Sequence, residues 1–187
     1  MAAQLVTYRF SVKDYHRMRE AGIFHEDDRV ELLEGEMVEM APIGPGHAGG
    51  VNRLLNGFLP LQAERKTIIA VQNPIRLGEH SEPQPDLALL QPRPDFYAQG
   101  HPSPQDVLLV VEVMESWAGY DREVKVPLYA RFGIPETWLV DIERGRIEVS
   151  RAPGPEGYRD VHTLGRGERV SPQAFPQLTL TVDEVLG

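Results

Sequence analysis

Apolar positions fall into two rhythms along this chain. The strongest run is Val107 to Met114 (Val-Leu-Leu-Val-Val-Glu-Val-Met), apolar at every position but one, the pattern of a strand covered on both faces. Further strands are predicted at Thr67 to Val71 and Asp86 to Leu90 before it, and at Thr137 to Val140 and Arg146 to Ser150 after it. Nearer the N-terminus, Arg29 to Leu33 and Glu36 to Met40 read as two strands that turn at Glu34-Gly35.

Helical spacing marks three other segments. Ser11 to Glu20 reads as a first helix, with Ser11 as N-cap, Asp14 three residues on and Gly22 as its stop. His47 to Glu64 carries Val51, Leu54, Leu55 and Phe58 on one stripe and reads as a second. A third lies within Asp121 to Phe132. Pro127 lacks an amide hydrogen and biases Val126 away from helical angles, so this helix is expected to begin near Val126, with Lys125 at its entrance. Gln91 to Gln105 holds Pro92, Pro94, Pro102 and Pro104 around Gly100 and reads as a surface loop or flap. Tyr158 to Leu186 reads as short strands and turns ending in a brief helix. The succession predicts an α/β fold, a mixed sheet with helices packed on it, in a single domain spanning 1–187.

Composition agrees and narrows the function. The 187 residues are 41% hydrophobic and 25% charged, as in an ordinary globular domain able to bury its own core. Cysteine is absent, which excludes disulfides, thiolate metal sites and cysteine nucleophiles. Met1 to Phe10 has neither a basic nor an apolar leader region, and the longest apolar stretch, Val107 to Val111, is too short for a bilayer. A soluble cytoplasmic protein without membrane contact is expected. The formal charge of -9 argues against coating nucleic acid by charge alone. A site that gathers carboxylates for a divalent cation is itself acidic, however. Lys13, Arg17 and Arg19 on the first helix form a modest basic surface.

The candidate chemistry begins with Glu112, the one charge inside the apolar run. Buried there, its carboxylate needs a cation, a hydrogen-bond network or an opening to solvent at the strand end. Asp86 follows Pro85 at a strand start, which by itself is ordinary turn chemistry. Together they gain meaning: strands carrying Asp86 and, 26 positions later (112 − 86), Glu112 can set two carboxylates side by side, as hard divalent cations require. Lys125 falls on the side of Leu128, Tyr129 and Phe132 if helical. It reads either as a snorkelling lysine paired with Asp121 or as a cation brought to the carboxylates to orient water and steady a charged transition state. His47, at a helix start, is read first as a turn residue and second as a phosphate or proton contact. Tyr129 and Trp138 read as core, and Asp141 as a turn residue.

Several strings in order resemble one family. They are Arg29-Val-Glu-Leu-Leu-Glu-Gly-Glu36, Pro85-Asp86, Val111-Glu-Val113, Asp121-Arg-Glu-Val-Lys125 and Tyr129-Ala-Arg-Phe-Gly-Ile-Pro-Glu-Thr-Trp-Leu-Val-Asp141. In this order the chain resembles the Uma-type family, restriction-endonuclease-like members of the PD-(D/E)XK nuclease superfamily. The resemblance runs from about Ser11 to the C-terminus and extends to Leu178-Thr-Leu-Thr-Val-Asp-Glu-Val-Leu186. It implies a restriction-endonuclease-like core over about 11–151, with C-terminal strands and a short helix over 157–187. It also implies Asp86 and Glu112 as ligands of Mg²⁺ or Mn²⁺, Lys125 as catalytic lysine, and Glu31 as a further acidic residue. His47, Asp121 and Tyr129 are accessory candidates. Two residues after Glu112 the superfamily pattern has lysine; this chain has Met114, so the resemblance implies that Lys125 supplies the charge.

The function expected is therefore metal-dependent phosphodiester hydrolysis in nucleic acid, DNA foremost. A homodimer is expected if both strands of a duplex are cut. Two alternatives stay open: a nuclease fold used as a binding or assembly module without turnover, and a sugar hydrolase with Glu31 and Glu112 as acid and base. The last predicts activity in EDTA.

Overall fold

A computed structural model describes residues 7–25, 27–114 and 118–187. The first helix, α1 (Val12–Glu20), begins as its sequence directs: the Ser11 side chain accepts from the Asp14 amide and the Asp14 carboxylate answers the Ser11 amide. An antiparallel hairpin follows, β1 (Val30–Leu33) and β2 (Glu36–Glu39). Its two turn residues, Glu34 and Gly35, both have positive φ, 50° and 86°, the tight turn that matches strand twist.

Next comes α2 (Pro45–Ala63), which starts two residues ahead of the His47 boundary because Pro45 fits a first helical turn. It buries Val51, Leu54, Phe58 and Leu61. At Gly50 a Cβ would lie 3.1 Å from Val113 Cγ1, so the missing side chain is what lets this helix sit close on the sheet.

The sheet is built from β3 (Ile68–Val71), β4 (Leu87–Leu90), β5 (Val107–Met114), β6 (Glu136–Asp141), β7 (Arg146–Gly154) and β8 (Gly157–Gly165), in that spatial order. Only β5 and β6 run parallel. Between them the chain crosses over through α3 (Ala118–Tyr120), a π-helical turn at Asp121–Lys125 and α4 (Val126–Arg131). A two-stranded pair, β9 (Arg169–Val170) and β10 (Leu180–Thr181), leads into α5 (Val182–Leu186).

Both faces of the sheet are covered. On one, Leu109, Val111 and Val113 pack with the apolar stripe of α2, with Trp138 and with Val182, Val185 and Leu186 of α5. On the other, Val107 and Val110 pack with Leu128 and Tyr129 of α4 and with Leu33 of the hairpin. Alternation along β5 puts Glu112 and Met114 on the face of Val110, toward α4. The α/β class, with a mixed sheet flanked by helices, is as the sequence predicts. Among the described residues no helix is long and apolar enough to cross a membrane. The expectation of no leader region rests partly on Met1–Val6, which lie outside the described residues.

Two elements differ from expectation. The helix does not begin at Val126: it is already turning at Ala118, and Pro127 sits inside a continuous crossover. The π turn explains the tolerance. The Val126 amide bonds back to the Asp121 carbonyl, one residue farther than in an α-helix, and the wider turn accommodates the proline ring. Lys125 therefore lies within the helix rather than at its entrance, and it is buried. The C-terminal part is also more regular than expected. β8 is nine residues long and pairs along β7 as an edge strand of the main sheet; its burial pattern is mostly polar and half-exposed, which hides it from a search for apolar runs.

Candidate active site

Asp86 stands one residue ahead of β4, and the pairing of Leu87 with Val111 sets it against Glu112 on β5. The two are laced together through the backbone. The Asp86 amide donates to Glu112 Oε2 at 3.3 Å, and the Val113 amide donates to Asp86 Oδ2 at 2.8 Å. Pro83 and Pro85 hold the preceding segment extended, and Gln84 between them turns inward: its amide donates to Glu31 Oε2 at 2.9 Å and its side chain to the Val30 carbonyl at 3.0 Å. Glu31, on β1, is thereby fixed beside the pair although hairpin and sheet are separate.

Lys125 reaches all three acidic neighbours. Its Nζ lies 2.9 Å from Glu112 Oε1, 3.4 Å from Glu31 Oε2 and 3.8 Å from Asp121 Oδ1. Tyr129, one helical turn on, donates its hydroxyl to the same Glu112 Oε1 at 2.6 Å. His47, in the first turn of α2, places Nε2 2.9 Å from Asp86 Oδ2, and Gln72 Nε2 lies 3.4 Å from Asp86 Oδ1. Arg122, on the π turn, is ion-paired with Glu148 of β7, which moors that turn to the sheet.

Asp86, Glu112, Lys125 and, around them, Glu31, His47 and Asp121 line a pocket of about 340 Å³, together with Arg29, Met40, Gly44, Met114 and Tyr120. Burial and charge act against each other within it. Burial pushes the Glu112 carboxyl up to about 8, the Lys125 ammonium pulling the other way. Burial alone would lower Lys125, but Glu112, Glu31 and Asp121 outweigh it and hold the amine above its ordinary range. Asp86 is nearly as buried, which would raise it; the His47 contact and the Val113 amide win, and its carboxyl lies below the ordinary range. Asp121 is raised by burial against the pull of Lys125.

The donor set fits a hard divalent cation: carboxylate oxygens from Asp86, just before β4, and from Glu112 on the neighbouring β5, with Glu31 beside them.

Every sequence-selected candidate, Glu31, His47, Asp86, Glu112, Asp121, Lys125 and Tyr129, lies in or against this one pocket. Met114, two residues after Glu112, also lines it. His47 is more than a turn residue, because its ring meets Asp86. Tyr129 is core as expected, being fully buried, and its hydroxyl is the buried partner of Glu112. Trp138 is core, and Asp141 accepts from the Arg144 amide in a turn. Residues taken singly do not point to Gln84. Its only signal is the alternation Glu82-Pro-Gln-Pro-Asp86, which fixes an extended backbone and forces successive side chains to opposite sides.

Comparison with known proteins bears on the family and the fold. The family described as "Uma2: Putative restriction endonuclease" matches residues 12–183. Among solved structures, the chain is similar to "a putative nuclease belonging to DUF820" from Anabaena variabilis, with a TM-score of 0.73 over 95% of this chain and 97% of that one. The two share 13% identity, so this likeness speaks for the fold. No curated protein matches.

Proposed function

Since this chain belongs to the Uma2 restriction-endonuclease family, we propose that it is a Mg²⁺- or Mn²⁺-dependent nuclease that hydrolyses phosphodiester bonds in nucleic acid, with DNA as the first substrate to try. The observation that carries the proposal is the contact of Lys125 with Glu112 at 2.9 Å, beside Asp86, at the floor of an open pocket.

Asp86 and Glu112 would hold the ion, with Glu31 assisting. A divalent ion held there supplies charge to offset the scissile phosphate and makes a water more acidic. The remaining work falls to the chain's own groups. Tyr129 and Lys125 fix the Glu112 carboxylate from one side, leaving its Oε2 toward Asp86. His47 and the Val113 amide fix Asp86, and Gln84 fixes Glu31. Lys125 remains cationic and is the group placed to orient an attacking water and to stabilise negative charge gathering on the phosphate oxygens. Cleavage of both strands of a duplex would call for two such pockets, hence a homodimer.

The test is incubation of the purified protein with supercoiled plasmid, single-stranded DNA and RNA, in Mn²⁺, Mg²⁺ or EDTA. Asp86→Ala and Lys125→Ala run alongside. Metal-dependent cutting lost in both variants is the expected result. Cutting that survives in EDTA, or in Asp86→Ala, would sink the proposal. The acid–base alternative with Glu31 and Glu112 predicts the first of those outcomes.

A further inference from the structure

A second group of ligating side chains lies away from the pocket. His16 of α1, Glu82 of the segment before β4 and His101 of the long β4–β5 loop each offer one ligand atom, all within 4.8 Å of one another. Among the described residues no other such trio of histidine and acidic side chains exists. His16 Nε2 meets Glu82 Oε1 at 2.7 Å, and the two imidazole rings meet edge to face, inclined by 70°, with centroids 6.4 Å apart.

Glu82 makes the group unusual. It is 2% exposed, and its second oxygen, Oε2, is buried with no hydrogen-bond partner among the described residues. A buried carboxylate oxygen left unpartnered is costly, and a cation is the standard remedy. His16 and His101 are more open to solvent, so an ion would keep a water-facing position. We propose that His16, Glu82 and His101 form a separate site for a Zn²⁺-type ion. Two imidazoles and one carboxylate favour that borderline class over Mg²⁺ or Ca²⁺, which prefer all-oxygen shells.

The placement gives the ion a structural role. Glu82 donates its amide to the Leu32 carbonyl of β1 at 2.7 Å, next to Glu31, and stands four residues before Asp86. His101 belongs to a loop that is otherwise tied near this point by the Arg76 amide on the Pro102 carbonyl at 2.9 Å. An ion at the trio clamps α1 and that loop onto the segment that delivers Gln84 and Asp86 to the pocket. This inference does not rest on the nuclease reading.

The experiment titrates chelator-stripped full-length protein with Zn²⁺ against a competing chromogenic chelator, in an Asp86→Asn/Glu112→Gln background that weakens the pocket. One equivalent should bind. His16→Asn and His101→Asn should each weaken binding by more than about tenfold, since even loss of a ligand's hydrogen-bond partner costs on that scale. Zn²⁺ should raise the melting temperature of the parent and not of these variants. Substituted Co²⁺ should give the visible absorption of imidazole ligation only where both histidines are present. Absence of stoichiometric binding, or equal binding in the histidine variants, overturns the site. If His16→Asn lowers the metal-free melting temperature, the exposed His101→Asn alone decides between these outcomes.

Discussion

Tyr129 and Lys125 converge on a single atom. The phenol at 2.6 Å and the ammonium at 2.9 Å both address Glu112 Oε1, four residues apart and so on one face of the helix. A carboxylate held this way keeps its other oxygen for the side where Asp86 lies.

Removing the phenol alone is therefore informative. Tyr129→Phe keeps the packing and deletes one hydrogen bond to a charged or partly charged group, costing on the order of 1–3 kcal/mol in urea unfolding. Cleavage should fall about tenfold through kcat rather than KM, since Glu112 is loosened but not removed. A variant with unchanged kcat would mean that Lys125 fixes the carboxylate unaided.

Lys125→Met removes the buried cation and leaves Glu112 and Glu31 facing each other. Breaking a buried pair from one side costs about 3–5 kcal/mol, and the metal-free protein should lose stability on that scale. Cleavage should drop to background while Mn²⁺ still binds, as read by isothermal titration. Loss of Mn²⁺ binding in a folded Lys125→Met protein would contradict the role assigned to the lysine.

The pH dependence of metal binding follows from Glu112. Burial lifts its carboxyl up to about 8, so at neutral pH the metal-free site holds a proton that an arriving cation must displace. Mn²⁺ affinity should rise with pH toward about 8 and level off above it, with proton release visible in buffers of different ionisation heat. In Glu112→Gln the slope should vanish. An affinity flat across that range in the parent protein would show that Glu112 is already ionised.

His47 governs the acid side. Burial would raise the Asp86 carboxyl, yet the His47 contact holds it below the ordinary range. With His47→Ala the Asp86 carboxyl should rise, so the carboxylate is lost at higher pH on acidification. The acid limb of the cleavage profile should move upward in pH. A limb that stays in place would assign it to another group.

Much of this molecule can be read from its residues. The apolar run Val107 to Met114 declares the central strand and, by its single interruption, the carboxylate on it. Ser11 and Asp14 declare the first helix. What stays hidden depends on distance in sequence. That Lys125 reaches Glu112 is decided by how the crossover helix packs over β5, which no local propensity reports; nor does propensity distinguish its π turn from an α-helical one. His47 meets Asp86 because α2 packs close at Gly50, a tertiary fact. Tyr129 reads simply as core because its hydroxyl's partner lies on another element. β8 escapes because an edge strand with a half-exposed surface lacks the apolar alternation by which strands are recognised.

The π turn also bears on how such a site tolerates insertions and deletions. Each residue added to or taken from a helix rotates everything beyond it by about 100°. Deleting one position between Asp121 and Lys125 would let the crossover relax to a regular α-helix. Leu128 and Tyr129 could then keep their seats only if everything before them swung away, with Arg122 leaving Glu148. The cation's address is written in the spacing of the chain as much as in its chemistry.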